Sequence, residues 1–583
     1  MAGSRSEVGV AMATVNEEVD VIESEGHPRR WLILAAVSLG MFMTLLDVTI
    51  VNIAIPSIIR DFDTTVADAT WVVNAYSLTL AVLFLSMGGL ADRLGRKQVF
   101  LVGLTIFTVF SLLCGLAPSI GWLVAFRVGQ GIGGAAMTPL SLAILFSVFP
   151  RRQTGMAFGI WGAVSATAVA VGPPLGGVLI EYGSWHWVFF INVPVGIGAL
   201  IFGSAVIPKV REALAGTRID YVGVVISAIG LFCLVLGLIQ ANDWGWTSAR
   251  ILTLFAVAIV SYPLFMWWEL HTPSPMFDFR LLRIRSFTAA NTAMMFIGGA
   301  LGGGMFLLVI FLVSVLGYSE LRAALAITPM ALTALVLGPL VGRSVDKIGP
   351  RFLAAFGAFC FGTGMLLLAG LDAQSSALDA TWRVVVIGVG MGFTFPTFSA
   401  AAMGSLPREV TGVGSGALNT LRQVGFSIGV AVLVAIFTAQ MTTNVENAVR
   451  EAQKYVESQS AIPAPARAAI AAQLQNAAEQ ARSGSVKPQD AGELVGDGPA
   501  AQPGSAQAQM EAKVQSELGA IFKDNIAQSF SLAYYVAALM AYLAIIPALL
   551  TGRRIGEHQG DYELPLQNGA GRSQRHASEE PRR

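Results

Sequence analysis

Fourteen stretches of about twenty mainly apolar residues recur along this chain. They lie near 31–57, 69–91, 97–118, 122–149, 155–181, 187–208, 221–240, 251–270, 287–316, 323–342, 352–371, 382–405, 411–440 and 528–551. Each is long enough to cross the roughly 30 Å hydrocarbon core of a bilayer as one α-helix. Inside lipid a backbone finds no hydrogen-bond partner but itself, so such runs are expected to be helical. Charged residues are 13% of the 583, where a soluble surface needs about a quarter. The reading is an all-α integral membrane protein. Gly298, Gly299, Gly302, Gly303 and Gly304 leave room for a break in the run 287–316.

Lys plus Arg and Asp plus Glu balance at 37 each, so no basic excess points to nucleic acid. The distribution is uneven. With the N-terminus in the cytosol, the short inner loops carry Arg93, Arg96 and Lys97, then Arg151 and Arg152, Lys209, Arg211 and Arg218, Arg280, Arg283 and Arg285, Arg343, Lys347 and Arg351, and Arg408. The outer short loops carry only Arg60, Arg250, Arg322 and Arg383. The positive-inside rule therefore places both termini in the cytosol. No signal peptide is recognised in the acidic stretch 1–30, so the first run is expected to be a retained span. One outer segment, 441–527, is long. Val445-Ala448-Ala452-Tyr455, Ile470-Leu474-Ala477-Ala481 and Met510-Val514-Leu518-Ile521 have helical spacing there, around a Gly/Pro/Gln-rich stretch at 484–507. Short amphipathic helices about a disordered link are expected, as a cap or as a tolerated spacer.

The chain repeats itself. Gly88-Gly-Leu-Ala-Asp92-Arg93-Leu-Gly95-Arg96-Lys97 has an echo in Gly342-Arg-Ser-Val-Asp346-Lys-Ile-Gly349-Pro-Arg351, and Gly129-Gln-Gly131-Ile-Gly133 has one in Gly388-Val-Gly390-Met-Gly392. Internal repeats mark transporter folds. The first copy follows span two and the echo follows span ten. The shift is eight spans rather than six, so two helices have been inserted between two six-helix halves. The expected organisation is a tail at 1–30, a first bundle at 31–208, an inserted pair with linker at 209–285, a second bundle at 286–551, and a tail at 552–583.

Asp47 falls about mid-span, where a charge costs on the order of 3 kcal/mol. It is a site for a transported proton or a structural hydrogen-bond acceptor. Arg127 stands about one turn inside span four, either paired with a carboxylate such as Asp47 or snorkelling to the interface. Arg422 lies near mid-membrane with Asn419 on its face, in a structural role or in coupling. The loop Gly88–Lys97, with Gly88, Asp92, Arg93, Gly95 and Arg96, suits a gate in which a helix N-terminus or an arginine holds Asp92; topology alone would also account for it. Gly172-Pro173-Pro174-Leu175-Gly176-Gly177 interrupts span five as a hinge or a packing site.

Gly129–Gly134 fits a dinucleotide-binding pattern in form only, since no strand precedes it. P-loop, nucleophile-elbow and HExxH motifs do not occur, and Cys114, Cys233 and Cys360 stand alone. No enzyme activity, cofactor or metal is expected.

Together these segments resemble the major facilitator superfamily, specifically its fourteen-helix drug:proton antiporters. The resemblance rests on Asp47–Pro56, Gly88–Lys97, Leu123–Gly131 and Gly172–Gly177. It extends to Trp185-His186-Trp187 through Gly196, Asp220–Gly223, Leu316–Ser319 and Ser415–Gly429. His186 stands where the family usually has arginine. The resemblance implies two six-helix bundles plus two inserted helices in a bacterial inner membrane. It implies a monomer that exports hydrophobic or cationic amphipathic molecules in exchange for protons by alternating access. Asp47 and Arg127 would carry coupling, and Thr49, Asn52, Asn74, Tyr76 and Asn419 would line the cavity. The same motifs would serve a dedicated exporter of a lipid, a siderophore or a self-made antibiotic. A receptor or channel is the third reading, with no signalling domain to support it.

Overall fold

The structure is a computed structural model that describes residues 26–209, 218–459, 467, 470–476, 479 and 506–554. Among the described residues, fourteen helices are long and apolar enough to cross a membrane, the number expected. The first bundle comprises α1 (Arg30–Phe62), α2 (Val66–Leu94), α3 (Arg96–Gly115), α4 (Ile120–Val148), α5 (Thr154–Tyr182) and α6 (Trp187–Val206). The inserted pair is α7 (Tyr221–Trp244) and α8 (Ala249–His271). The second bundle comprises α9 (Arg285–Ile310), α10 (Glu320–Ile348), α11 (Arg351–Leu368), α12 (Ala377–Gly404), α13 (Thr411–Ser458) and α14 (Ala506–Leu543).

Side chains fix several helix starts by accepting from orphan amides. Thr65 caps α2, Asp220 caps α7, Ser248 caps α8 and Ser319 caps α10. Ser376 and Asp379 form a capping box on α12.

The glycines of span nine do not break it. Helix α9 runs through them and relaxes only afterwards, into a π-helical turn at Phe311–Val315. Gly298, Gly299, Gly302 and Gly303 instead let the α13 backbone approach, against Arg422, Gly425, Phe426 and Gly429. Helix α5 is likewise unbroken, with Pro173 and Pro174 inside it.

The long segment also differs from expectation. Its first and last amphipathic stretches are extensions of the spans themselves, because α13 is 48 residues long and α14 is 38. The part of α13 beyond residue 440 reaches about 25 Å further, at 1.5 Å per residue. Val445, Ala448, Ala452 and Val456 are buried in one cluster with Val514, Leu518 and Phe522. Asn444 donates to Ser529 (3.0 Å) and Asn525 to Glu451 (3.2 Å) across the pair. The middle stretch is described only in part, and 484–505 lie outside the described residues.

The basic loops gather at one end, as their charge requires. Arg93 donates to the Pro275 carbonyl (2.6 Å), Arg96 to that of Arg408 (2.5 Å), and the His27 amide to that of Val148 (2.8 Å). Two helix pairs join the halves, α2 with α13 and α5 with α10; their backbones approach closely at this end, Gly88 to Gly412 and Gly155 to Gly342, and the α5–α10 contact continues through Gly159 and Gly338 to Ala166 and Ala331. The inserted α7 packs on α8 and leans on both halves through Leu231, Val235 and Leu236, which meet Leu78, Ala81, Val82 and Val424.

The extramembrane hairpin is held by ordinary side-chain burial. Leu518→Ala is expected to destabilise it by about 2–5 kcal/mol, read as faster protease cleavage of the hairpin in detergent-solubilised protein.

Candidate functional site: a buried ion pair and the contacts between the halves

Asp47 and Arg127 are both fully buried and form an ion pair between α1 and α4. Arg127 does not snorkel. Its Nη1 donates to Asp47 Oδ2 and to Gln130 Oε1 (2.8 Å), its Nε donates to the Val72 carbonyl (2.8 Å), and its guanidinium lies 4.1 Å over the Tyr76 ring. Gln130 (2.8 Å) and Asn192 (3.3 Å) donate to Asp47 Oδ1. Asn192 also donates to Ser111 (3.1 Å), which donates to the Phe189 carbonyl (2.9 Å). Five helices thus share one network, in which α4 and α6 donate directly to the carboxylate of α1. Three donors occupy three of its roughly four acceptor positions.

Gln130, Asn192 and Ser111 were not singled out from the sequence. Gln130 had a signal, one helical turn after Arg127 and so on its face. Tyr76, expected in the cavity, is fully buried beside this network in the structure, with its hydroxyl donating to the Thr44 carbonyl (3.2 Å).

The predicted loop residues come together at the basic end. Asp92 is buried and accepts from the Gly412 (3.0 Å) and Val413 (2.8 Å) amides in the first turn of α13. Arg96 donates to it from Nε (3.1 Å) and Nη2 (2.9 Å). Both a helix N-terminus and an arginine therefore hold it. The echo has the same geometry: Asp346 accepts from Gly155 (2.7 Å) and Met156 (3.0 Å) in the first turn of α5. A helix N-terminus carries partial positive charge and free amides, so each carboxylate ties one half to the other. Gly95 and Gly349 close the two motifs with φ of 99° and 84°, a conformation that favours glycine. Gly88 lies so close to α13 that a methyl group there would overlap the Gly412 carbonyl. Among the differences between the copies, the echo has Pro350 where the first copy has Arg96.

The glycine-proline motif packs on the helix that carries Asp47. Side chains added at Gly172 and Gly176 would meet Thr49 and Ile50 of α1, whereas Gly177 faces open space. Thr49 is therefore part of the α1–α5 contact, and its hydroxyl donates to the Leu46 carbonyl (3.0 Å) rather than into a cavity. Pro173 and Pro174 stand side by side in α5. Pro174 lines an apolar cavity of about 420 Å³ between α5 and α10, with Thr167, Val171 and Leu175 facing Thr328 and Leu332. Asn52 is exposed and Asn74 half-buried. Asn419 is buried; its amide donates to the Ser415 carbonyl (2.9 Å) and its oxygen accepts from Arg422 (2.8 Å).

Two structurally related six-helix halves, joined by an inserted pair and packed on one another through α2 with α13 and α5 with α10, define a multi-pass transporter. The profile of the Major Facilitator Superfamily matches residues 37–430, and the chain belongs to that superfamily, in its fourteen-helix, multidrug-resistance-type branch. It is 32% identical over 538 residues to the tetracenomycin C resistance and export protein of Streptomyces glaucescens, covering 92% of this chain and 94% of that one. It is 34% identical over 416 residues to the multidrug resistance protein Stp of Mycobacterium tuberculosis, covering 71% and 77%. The human organic anion transporter MFSD10 shares the fold, with a TM-score of 0.54 at 15% identity over 70% of this chain and 94% of that one. These relatives are transporters rather than enzymes. Among the described residues, no group of three or more His, Cys, Asp or Glu could hold a metal ion.

Two stability outcomes follow. Arg127→Ala strands the Asp47 carboxylate and is expected to cost about 3–5 kcal/mol, read as a lowered melting temperature in detergent; adding Asp47→Asn recovers part of that loss. Asp92→Asn removes the charge on the α13 N-terminus and is expected to weaken that contact by about 1 kcal/mol. With the three native cysteines replaced, a probe introduced by Ser415→Cys should then react faster with a water-soluble maleimide.

Proposed function

We propose that this chain exports hydrophobic, drug-like molecules in exchange for protons, by alternating exposure of a cavity between its halves. The observation that carries the reading is the fully buried Asp47–Arg127 pair, a titratable carboxylate inside the membrane on the first bundle. A proton arriving at Asp47 releases Arg127, which then needs new partners, and the rearrangement is transmitted to α2, α3 and α6 through Val72, Ser111 and Asn192. The Asp92 and Asp346 contacts supply the closed basic end, and both consist of hydrogen bonds that can reform. One charge crossing about 100 mV supplies about 2.3 kcal/mol, the scale of such contacts. A bacterial inner membrane with both termini cytosolic fits the basic end and the bacterial relatives. Residues 31–208 and 286–551 serve as the two moving units.

One observation favours a dedicated exporter as the second reading. The relative matched along nearly its whole length carries the name of a single exported compound, tetracenomycin C, whereas Stp is matched over 71% of this chain.

In proteoliposomes under a pH gradient, addition of a substrate should release protons from the wild type. Asp47→Asn should abolish both substrate movement and proton release while the protein remains folded. Normal coupled exchange by Asp47→Asn would place the proton site elsewhere. Resistance of a sensitive bacterial host to tetracenomycin C alone would support the second reading, and resistance to unrelated hydrophobic compounds the first.

A further inference from the structure

The charge count inside the membrane is unbalanced. Asp47 and Arg127 cancel one another, but Arg422 has no such counterpart. It lies 11 residues into α13, about 16 Å along the helix axis, and so near the bilayer centre. Its Nη2 donates to the neutral Asn419 amide at 2.8 Å, and among the described residues no carboxylate is within ion-pair distance. An intramembrane arginine ordinarily finds an anionic or carbonyl partner, or water.

Its setting shows where such a partner would come from. Arg422 is half-buried, and its remaining N–H groups are not sealed in protein. Its guanidinium carbon is 5.8 Å from the centre of the Phe395 ring on α12. Phe395 in turn lies against Gly162 of α5, in the other half. The guanidinium therefore opens on the space between the halves, beside an aromatic face. Asn419, itself 2% exposed, holds it in place from one turn away. Counting two arginines against one aspartate, this interior is positive with Asp47 ionised and more so with Asp47 protonated, so a cation is repelled in both states.

We propose that Arg422 is the anion-recognising group of the substrate cavity, and that favoured substrates are aromatic weak acids, carboxylates or phenolates. The planar guanidinium fork matches such groups, and the Phe395 ring accommodates the apolar body. The inference rests on the exporter reading and specifies its substrate class, against the cationic preference that the family resemblance implies.

Two dyes with the same xanthene body and opposite charge test it: anionic fluorescein and cationic rhodamine 123. Exchange of each is measured in proteoliposomes of the full chain under a pH gradient, with proton release followed in parallel. Wild type should exchange fluorescein in preference to rhodamine 123. Arg422→Gln should lower the fluorescein-to-rhodamine ratio by about tenfold or more, the scale of one lost charged hydrogen bond. Arg422→Lys should keep the wild-type order of preference. A wild type that prefers rhodamine 123, or a ratio unchanged in Arg422→Gln, including a loss of both dyes alike, overturns the assignment. Proton release with rhodamine 123 alone would do so while leaving the exporter reading intact. Neither dye moved and no proton released would overturn both.

Discussion

One interaction recurs at both joins between the halves of this protein, a carboxylate on one half accepting the free amides of a helix that begins in the other. Asp92 does this for α13 and Asp346 for α5. Every α-helix starts with amides that nothing in the helix can satisfy. Using a side chain from across the interface to satisfy them makes helix termination and inter-half adhesion the same event. The glycines at both crossings follow from it, because the carboxylate reaches the amides only if the backbones nearly touch. The positive φ of Gly95 and Gly349 follows as well, since the chain must turn sharply just after the acid.

Within the first half the Asp47 network is a different kind of polar structure. It binds five helices by hydrogen bonds in a setting where an unpaired group has no water to turn to. Desolvation offsets much of the Coulomb gain of such a buried pair. Its one orphan is Arg127 Nη2, buried without a partner and beside the pair. The site is therefore ordered but not fully satisfied.

Much of this was legible in the sequence, for physical reasons. The span count was readable because lipid forces every crossing to be a long apolar helix. The common end of the basic loops was readable from charge, and the inserted pair from the eight-span offset of the repeat. The partnership of Asp47 with Arg127 was one of the two readings open to the sequence, because pairing lowers the cost of a charge in a membrane. The neutral members of the network were not. Ser111 and Asn192 are cheap to place in a span, and only the rotation of each helix decides which way they face. Tyr76 and Asn419 were assigned to the cavity through the family resemblance, and which way each faces is set by packing, which buries both here. The glycines of α9 looked like a break because glycine weakens isolated helices; between packed membrane helices they admit a neighbour instead. The continuity of α13 beyond the membrane had a signal that spacing alone did not use, since no Gly or Pro occurs from 430 to 458.

That continuity has a mechanical consequence. Helices α13 and α14 pass from the membrane into their outer hairpin without a hinge, and their outer parts are locked together by Asn444, Glu451 and Asn525. The hairpin is therefore a rigid lever arm fixed to the second half. Were that half to tilt, the outer ends of the described segments, at Ser458 and Ala506, would be displaced further than the membrane-spanning parts, as the end of any rigid arm is.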